Sequence, residues 1–306
     1  MRTQDNKEQG SGIGWKRNLC LGLHILLLLA ILTGCGKAAK ETAEETEPAV
    51  METARVLQEN LQTILITVTD AYDISNTSGS YRNGNRADFL LLLVVDETAG
   101  KVSTLQLNPD TVIPFSIPGQ AEPVEIPLGQ TYSYGSGGSD SYLNLSKAVS
   151  HILDGVPVNH YLSFTMDAIG IVSDVLEGVS LTDAVDPVIL QGSDAVTFFR
   201  IREVEDISNE VHMERQRQFM MGMYQPFMIS AQDADFLTSF TLQLGERMAT
   251  DMTLSQLLPL FESLASYEME ETVLTISGEA ERINAEYRFH MDPDSLDKTL
   301  DILVTK

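Results

Sequence analysis

Cysteine is almost absent from this chain. Only Cys20 and Cys35 occur among 306 residues. Nothing after position 35 can form a disulfide or a thiolate metal site, so the fold must hold without crosslinks. Basic residues are also scarce, 20 Lys and Arg against 44 Asp and Glu, for a formal net charge of −24. Residues 1–35 carry four basic and two acidic groups, which leaves −26 for the rest. Such a surface repels phosphate backbones and argues against a nucleic-acid partner. An anionic ligand must meet a local basic pocket that works against the global field. No apolar run reaches the roughly 20 residues that a spanning helix needs, and no internal repeat is visible.

The amino end carries an export pattern. Lys16 and Arg17 form a short basic n-region, and Leu21 to Leu32 is an apolar h-region broken only by Gly22 and His24. Such a segment fits a secretory signal. Leu32-Thr33-Gly34-Cys35 then resembles a bacterial lipobox. Small residues suit a narrow peptidase site, and the thiol can be alkylated with diacylglycerol. The expectation is a signal peptide over 1–35 and a lipid on Cys35 that holds the chain on the extracytoplasmic face of the bacterial cell membrane. The other reading is an uncleaved anchor with a chance cysteine, which also leaves the remaining chain outside the cell. Residues 36–50 are polar and acidic and read as a flexible tether.

Residues 51–306 suit one large domain or two small ones. Met51 to Asn60 reads as a helix, and Ile64, Ile66 and Val68 alternate as in a strand. Phe89 to Val95 is a continuous apolar run expected of a central strand covered on both faces, with Val102 to Leu107 as its neighbour. Residues 113–141, rich in Pro, Gly and Ser, read as a long loop. Leu145, Val149, Ile152 and Leu153 follow helical spacing; Val158 to Phe164 and Val179 to Val185 are strand-like; Met166 to Glu177 reads as a helix closed by Gly178. A short helix capped by Ser193 and long helices over 211–228, 234–248 and 254–264 follow. Strands over 272–277 and 283–289 around a turn at Gly278, then a helix over 295–303, close the chain. Interleaved strands and helices predict an α/β fold, a three-layer α/β/α sandwich on a mixed sheet.

Several residues can carry chemistry. Asp70 ends one strand and Asp88 begins the next, so antiparallel pairing brings both carboxylates to one end of the sheet. They repel unless a cation or an arginine sits between them, and hard oxygen ligands with room for water favour Mg²⁺. Arg86 shares a face with Asp88 in an extended segment. Ordinary strand-edge charges would look the same. Arg200 and Arg202, if extended, share a face while Ile201 turns to the core, and two guanidiniums suit phosphate oxygens. Pairing with Glu203 and Glu205 is the plainer alternative. His212, Arg215 and Gln216 share one helix face, and Arg217 reads as a solvated charge. Ile169, Val172, Val175 and Leu176 form one apolar stripe; Phe219, Met220, Met223 and Phe227 form another. Either stripe suits core packing or the wall of a tunnel for a hydrocarbon chain.

Taken in order, these pieces resemble the LytR-CpsA-Psr family of cell-wall glycopolymer transferases. The resemblance runs from about Leu61 to Phe227. It rests on the strand ending in Asp70, Arg86-Ala87-Asp88, and Leu107-Asn108-Pro109-Asp110-Thr111. Tyr134-Gly135, Gly155-Val156-Pro157-Val158-Asn159-His160-Tyr161 and Met166-Asp167-Ala168 come next. The stretch from Gln191 to Arg202 and Met213-Glu214-Arg215-Gln216-Arg217-Gln218 complete it. The resemblance implies a polyprenyl-lipid tunnel and transfer of a glycan from a polyprenyl-pyrophosphate carrier to peptidoglycan, with Mg²⁺ at the pyrophosphate. It implies that Asp70 and Asp88 hold the metal and that one of them helps deprotonate the acceptor. It further implies that Arg86, Arg200 and Arg202 neutralise the pyrophosphate, with His212, Arg215 and Gln216 on the substrate.

Three departures mark the site. Pro109 and His212 stand where the family usually has arginine, and Tyr72 where many members have one. The lipoprotein anchor also replaces the transmembrane helix of many members. The loss of charge raises a second possibility, a non-catalytic lipoprotein that binds polyprenyl phosphate or wall polymer. Anchor, tether and size alone would also suit a solute-binding lipoprotein. Residues 230–306 form a C-terminal extension with no motif.

Overall fold

A computed structural model describes residues 60–70, 84–117, 120–181 and 188–304. All of them fall within one compact unit, Glu52–Lys306. Cys35, the signal, the tether, the first helix and Tyr72 lie outside the described residues.

The chain enters the sheet with β1 (Leu61–Thr69), β2 (Ala87–Asp96) and β3 (Lys101–Leu107). A hairpin of β4 (Val112–Phe115) and β5 (Val124–Pro127) leads to a 3₁₀ turn over Leu128–Ser133. Then come α1 (Ser139–Ile152), β6 (His160–Thr165), α2 (Ala168–Val175), β7 (Val179–Leu181), β8 (Val188–Leu190) and α3 (Gly192–Arg200). The long α4 (Glu210–Ser230) is followed by α5 (Ala234–Leu244), β9 (Met248–Thr250), α6 (Leu254–Ser266) and β10 (Glu268–Leu274). A second hairpin, β11 (Gly278–Ile283) with β12 (Glu286–Met291), precedes α7 (Pro293–Val304).

Six strands form one mixed sheet in the order β10-β3-β2-β1-β6-β9. β1 runs antiparallel to β2 and parallel to β6, and β3 runs parallel to β10. The apolar run in β2 sits near the middle and is buried on both faces, as expected. One face is covered by α2 to α6, the other by α1, α7 and the β4–β5 hairpin. This is the three-layer α/β/α sandwich that the pattern predicts.

Four local expectations need correction. The stretch 113–141 contains the β4–β5 hairpin and the 3₁₀ turn, and Tyr132 is fully buried. The helix expected over 234–248 stops at Leu244, and Met248 starts edge strand β9. The late strands do not pair around Gly278. β10 joins the main sheet, and β11 turns into β12 at Asn284 and Ala285, both at positive φ (49° and 68°), as a tight hairpin requires. Gly278 instead lets the backbone of β12 approach, since a Cβ there would sit 2.2 Å from the His290 carbonyl oxygen. Finally, α3 is capped by Gln191 without a side-chain bond, so Ser193 is not its cap. The extension after 230 thus supplies both edges of the central sheet.

Candidate active site

At the end of β1 the ladder slips. Val68 faces Phe89, but Thr69 faces Ala87, so Asp88 is the extra residue of a β-bulge. A bulge re-aims a side chain at a strand end. Asp70 follows directly. Its backbone N–H donates to the Arg86 carbonyl (3.0 Å), and its Oδ1 accepts the Arg86 backbone N–H (2.6 Å). Both carboxylates therefore share one end of the sheet, with Arg86 between the strands.

The arginines converge on a carboxylate that sequence reading quoted but gave no role. Asp110 follows β3 and is 1% exposed. Arg86 Nη2 donates to its Oδ1 (2.8 Å) and Arg202 Nη1 to its Oδ2 (2.5 Å). The signal for it was arithmetic: two arginines brought together in an acidic chain need a buried acid. Arg86 Nε lies 3.1 Å from Asp88 Oδ1, close enough for an ion pair. The atoms are not aligned as a hydrogen bond, so this buried N–H has no acceptor among the described residues. Burial works against the Arg86 charge, but Asp88 and Asp110 outweigh it and hold its pKa above the usual arginine value. Burial, with Asp88 adding to it, pushes the Asp70 carboxyl up despite the Arg86 N–H. Three carboxylates against two guanidiniums leave this cluster at −1, a balance that suits a cation more than a free anion.

The remaining candidates sit around this knot. Arg200 closes α3 and is exposed. Arg200 and Arg202 do not lie on an extended segment, and Ile201 is 45% exposed instead of turned to the core. Helix continues through Arg200, and the chain then turns out. Arg202 is heavily committed. Besides Asp110, its Nε and Nη2 donate to the Asp206 carbonyl (3.2 and 3.0 Å) and Nη2 reaches that of Ile207 (3.3 Å). Arg215 Nη1 donates to the Ile201 carbonyl (3.0 Å), which pins the same loop.

His212 is buried. Its Nε2 is 3.0 Å from the Phe199 carbonyl, which can only accept, so that nitrogen carries the proton. Burial pushes its pKa down. Its Nδ1 lies 3.1 Å from Asn209 Oδ1, so both ring nitrogens are spent on local contacts and His212 serves as a buried strut where the family usually has an arginine. Gln216 is also buried, 3.1 Å from His212 Nε2 and 3.4 Å from the Asp88 carbonyl, which steadies the bulge from behind. Pro109 is buried against Gly129, whose N–H donates to its carbonyl (2.8 Å). A Cβ on Gly129 would sit 2.2 Å from the Ala87 carbonyl, so glycine is required for this close approach beside β2.

Beneath the same strand ends lies an apolar cavity of about 110 Å³ between the sheet and α2, α4, α5 and α6. Ile66, Val68, Phe89, Leu91 and Phe164 form its floor, and Met220, Met223, Phe227 and Phe261 its roof. One water needs roughly 10–15 Å³ of such space and two to four polar partners. This cavity has the space without the partners, so it suits hydrocarbon. The two stripes therefore divide. Ile169, Val172, Met220, Met223 and Phe227 line the cavity, while Val175, Leu176 and Phe219 belong to the core. Arg217 is no solvated charge. It also lines the cavity, donates to Gln106 Oε1 (2.6 Å) and pairs with Glu214. Gln106 in turn reaches Gln216 (3.4 Å), so a polar chain links cavity wall and bulge.

Fold and site define an α/β/α protein whose apolar cavity ends beside a carboxylate–guanidinium cluster. The chain belongs to the LytR_cpsA_psr family, whose model matches residues 28–305. A curated relative, the polyisoprenyl-teichoic acid–peptidoglycan teichoic acid transferase TagU of Halalkalibacterium halodurans, is 24% identical over 219 residues. That match covers 67% of this chain and 68% of the relative. Among solved structures, Bacillus subtilis TagV matches with a TM-score of 0.60 at 19% identity, over 81% of this chain and 99% of its own. A structure titled TagT bound to LI-WTA matches with a TM-score of 0.61 at 16% identity, over 84% of this chain and 96% of its own. At those identities the structures speak for the fold alone.

Proposed function

We propose that this chain is a cell-wall glycopolymer transferase that moves a glycan from a polyprenyl-pyrophosphate carrier to peptidoglycan. One observation carries the reading: a hydrocarbon-lined cavity reaches strand ends where, among the described residues, Arg86 Nε–H has no aligned acceptor and the one Arg86 guanidinium is divided between Asp88 and Asp110. Family membership and the name of the TagU relative support it.

In this reading the carrier's tail lies in the cavity and its pyrophosphate at the cluster. The acceptor hydroxyl oxygen bonds to the glycan-bearing phosphorus as the anhydride P–O bond breaks, and polyprenyl phosphate leaves. Asp88, at the bulge, takes the hydroxyl proton. Arg86 Nε–H meets a phosphate oxygen, and the exposed Arg200 meets the charge that grows on the leaving phosphate. Such transfers depend mostly on positioning and charge stabilisation. Asp70 and Asp88 fit a Mg²⁺ site: two hard carboxylates at one end of the sheet, with Asp70 pushed up first by burial and further by its like-charged neighbour Asp88. A bound Mg²⁺ would supply charge to offset the pyrophosphate. Cys35 carries the lipid that keeps the domain at the membrane, where the carrier resides.

A second reading is a binder of polyprenyl phosphate without turnover. Buried Pro109, buried His212 and committed Arg202 favour it, because few cations are left to follow developing charge. The test uses the full chain in detergent with a synthetic polyprenyl-pyrophosphate saccharide. Release of polyprenyl phosphate that needs Mg²⁺ and falls at least a hundredfold in Asp88→Ala, about the cost of one transition-state group, supports transfer. Tight carrier binding without release supports the binder.

A further inference from the structure

The C-terminal hairpin reaches the site. Phe289 N–H donates to the Asp110 carbonyl (2.9 Å), and Phe289 bridges Thr111. In the β11–β12 register Ala280 faces Phe289 and Arg282 faces Tyr287, so these four share one face of the hairpin. Tyr287 lies flat on the site's own arginine. The Arg202 guanidinium carbon is 3.8 Å from the ring centroid, and the Tyr287 hydroxyl donates to the Val204 carbonyl (3.3 Å). The guanidinium carbon of Arg282 is 4.9 Å from the same centroid. The two cations are therefore no farther apart than the sum of those distances. Arg282 is exposed, and among the described residues no carboxylate pairs with it, although the chain has more than twice as many acids as bases.

Arg202 and Arg282 divide one task. Arg202 is held by Asp110, by two carbonyls and by the ring, so it has little left to offer a ligand. Among the described residues Arg282 is tied only at its face, by the Tyr287 ring, and the residue is exposed. An aromatic ring holds a guanidinium by its face while leaving the edge free for phosphate oxygens. We propose that the hairpin is part of the anion site: Tyr287 positions Arg202, and Arg282 adds a rim cation for the phosphate groups of the carrier or its glycan. The inference rests on the transferase reading for its ligand, but its geometry can be tested without turnover.

The test uses the full chain in detergent and inorganic pyrophosphate with Mg²⁺ as the probe, followed by calorimetry. Arg282→Gln weakens pyrophosphate binding severalfold at low ionic strength and less at high salt, as an exposed charge should. Tyr287→Leu weakens it about tenfold and shifts the Arg202 Nε–H proton resonance, which loses the ring current. Tyr287→Phe keeps the ring and restores both. Arg282 lies on the surface, so its variant remains informative if Tyr287→Leu unfolds. Unchanged pyrophosphate affinity in Arg282→Gln overturns the proposal, as does the absence of pyrophosphate binding by the unmodified chain. Arg282-dependent binding in a chain that never releases polyprenyl phosphate upholds the proposal while the transfer reading fails. Normal release with unchanged variants does the reverse.

Discussion

The two faces of the central sheet are built by the same alternation and end differently. On β1, Leu65, Thr67 and Thr69 point to the face covered by α1, while Ile64, Ile66 and Val68 point to the helices α2 to α6. The α1 face is filled. Tyr142 stacks on Tyr161 with centroids 4.6 Å apart and meets Tyr132 at 5.1 Å, and Leu90, Leu92 and Leu145 close the rest. Burial raises the pKa of all three tyrosines, that of Tyr161 to about 12, so they stay protonated. The other face keeps a cavity walled by phenylalanines and by methionines, whose unbranched side chains adapt to irregular space. One face thus fixes the fold, and the other is left open for a ligand.

That contrast can be broken most severely where both faces end. Asp110→Ala leaves two guanidiniums without their buried acid. Breaking a buried pair costs about 3–5 kcal/mol, so urea unfolding should show a loss of about that size, together with loss of activity. Next come neighbouring leucines on opposite faces. Leu92→Ala, in the filled layer, costs about 3 kcal/mol in the same assay. Leu91→Ala costs clearly less, because its side chain already borders empty space. Equal costs would mean that the cavity collapses in solution.

Filling sharpens the comparison. Met223→Trp lowers affinity for polyprenyl phosphate about tenfold, read by native mass spectrometry, and changes stability by less than about 1 kcal/mol. Leu65→Phe, the matching enlargement on the filled face, costs about 1–3 kcal/mol as overpacking. The smallest effect is on pH. Burial lowers the His212 pKa in the folded state below its ordinary 6.5. As pH falls below about 6.5, the unfolded chain takes up more protons, so stability drops. His212→Gln should flatten that acid limb in thermal unfolding scans at stepped pH.

Much of this was written in the sequence. The alternation of β1, the continuous apolar run of β2 and the 3.6-residue stripes of α1, α2 and α4 were readable, because each buries apolar surface in a regular pattern. The Asp70, Arg86 and Asp88 grouping followed from antiparallel pairing alone. What was hidden had weak local signals. β9 is three residues appended to a helical pattern, and β10 reads Glu-Met-Glu-Glu because it is a half-exposed edge. Asp110 and Arg217 owe their roles to partners about 90 to 110 positions away, Arg202 and Gln106, which no spacing rule connects. Tyr287 likewise lies outside the motifs, far along the chain from the Arg202 that it covers.

The most direct test of the account asks whether cavity and cluster serve one ligand. A polyprenyl pyrophosphate with a photoreactive group along its tail would be irradiated with the full chain, and the adducts mapped by mass spectrometry. The account predicts labels on Met220, Met223, Phe227 and Phe261, and their loss when Arg86→Ala removes the headgroup's partner. Labels on α1 or α7, or labelling of the cavity that ignores Arg86, would contradict it.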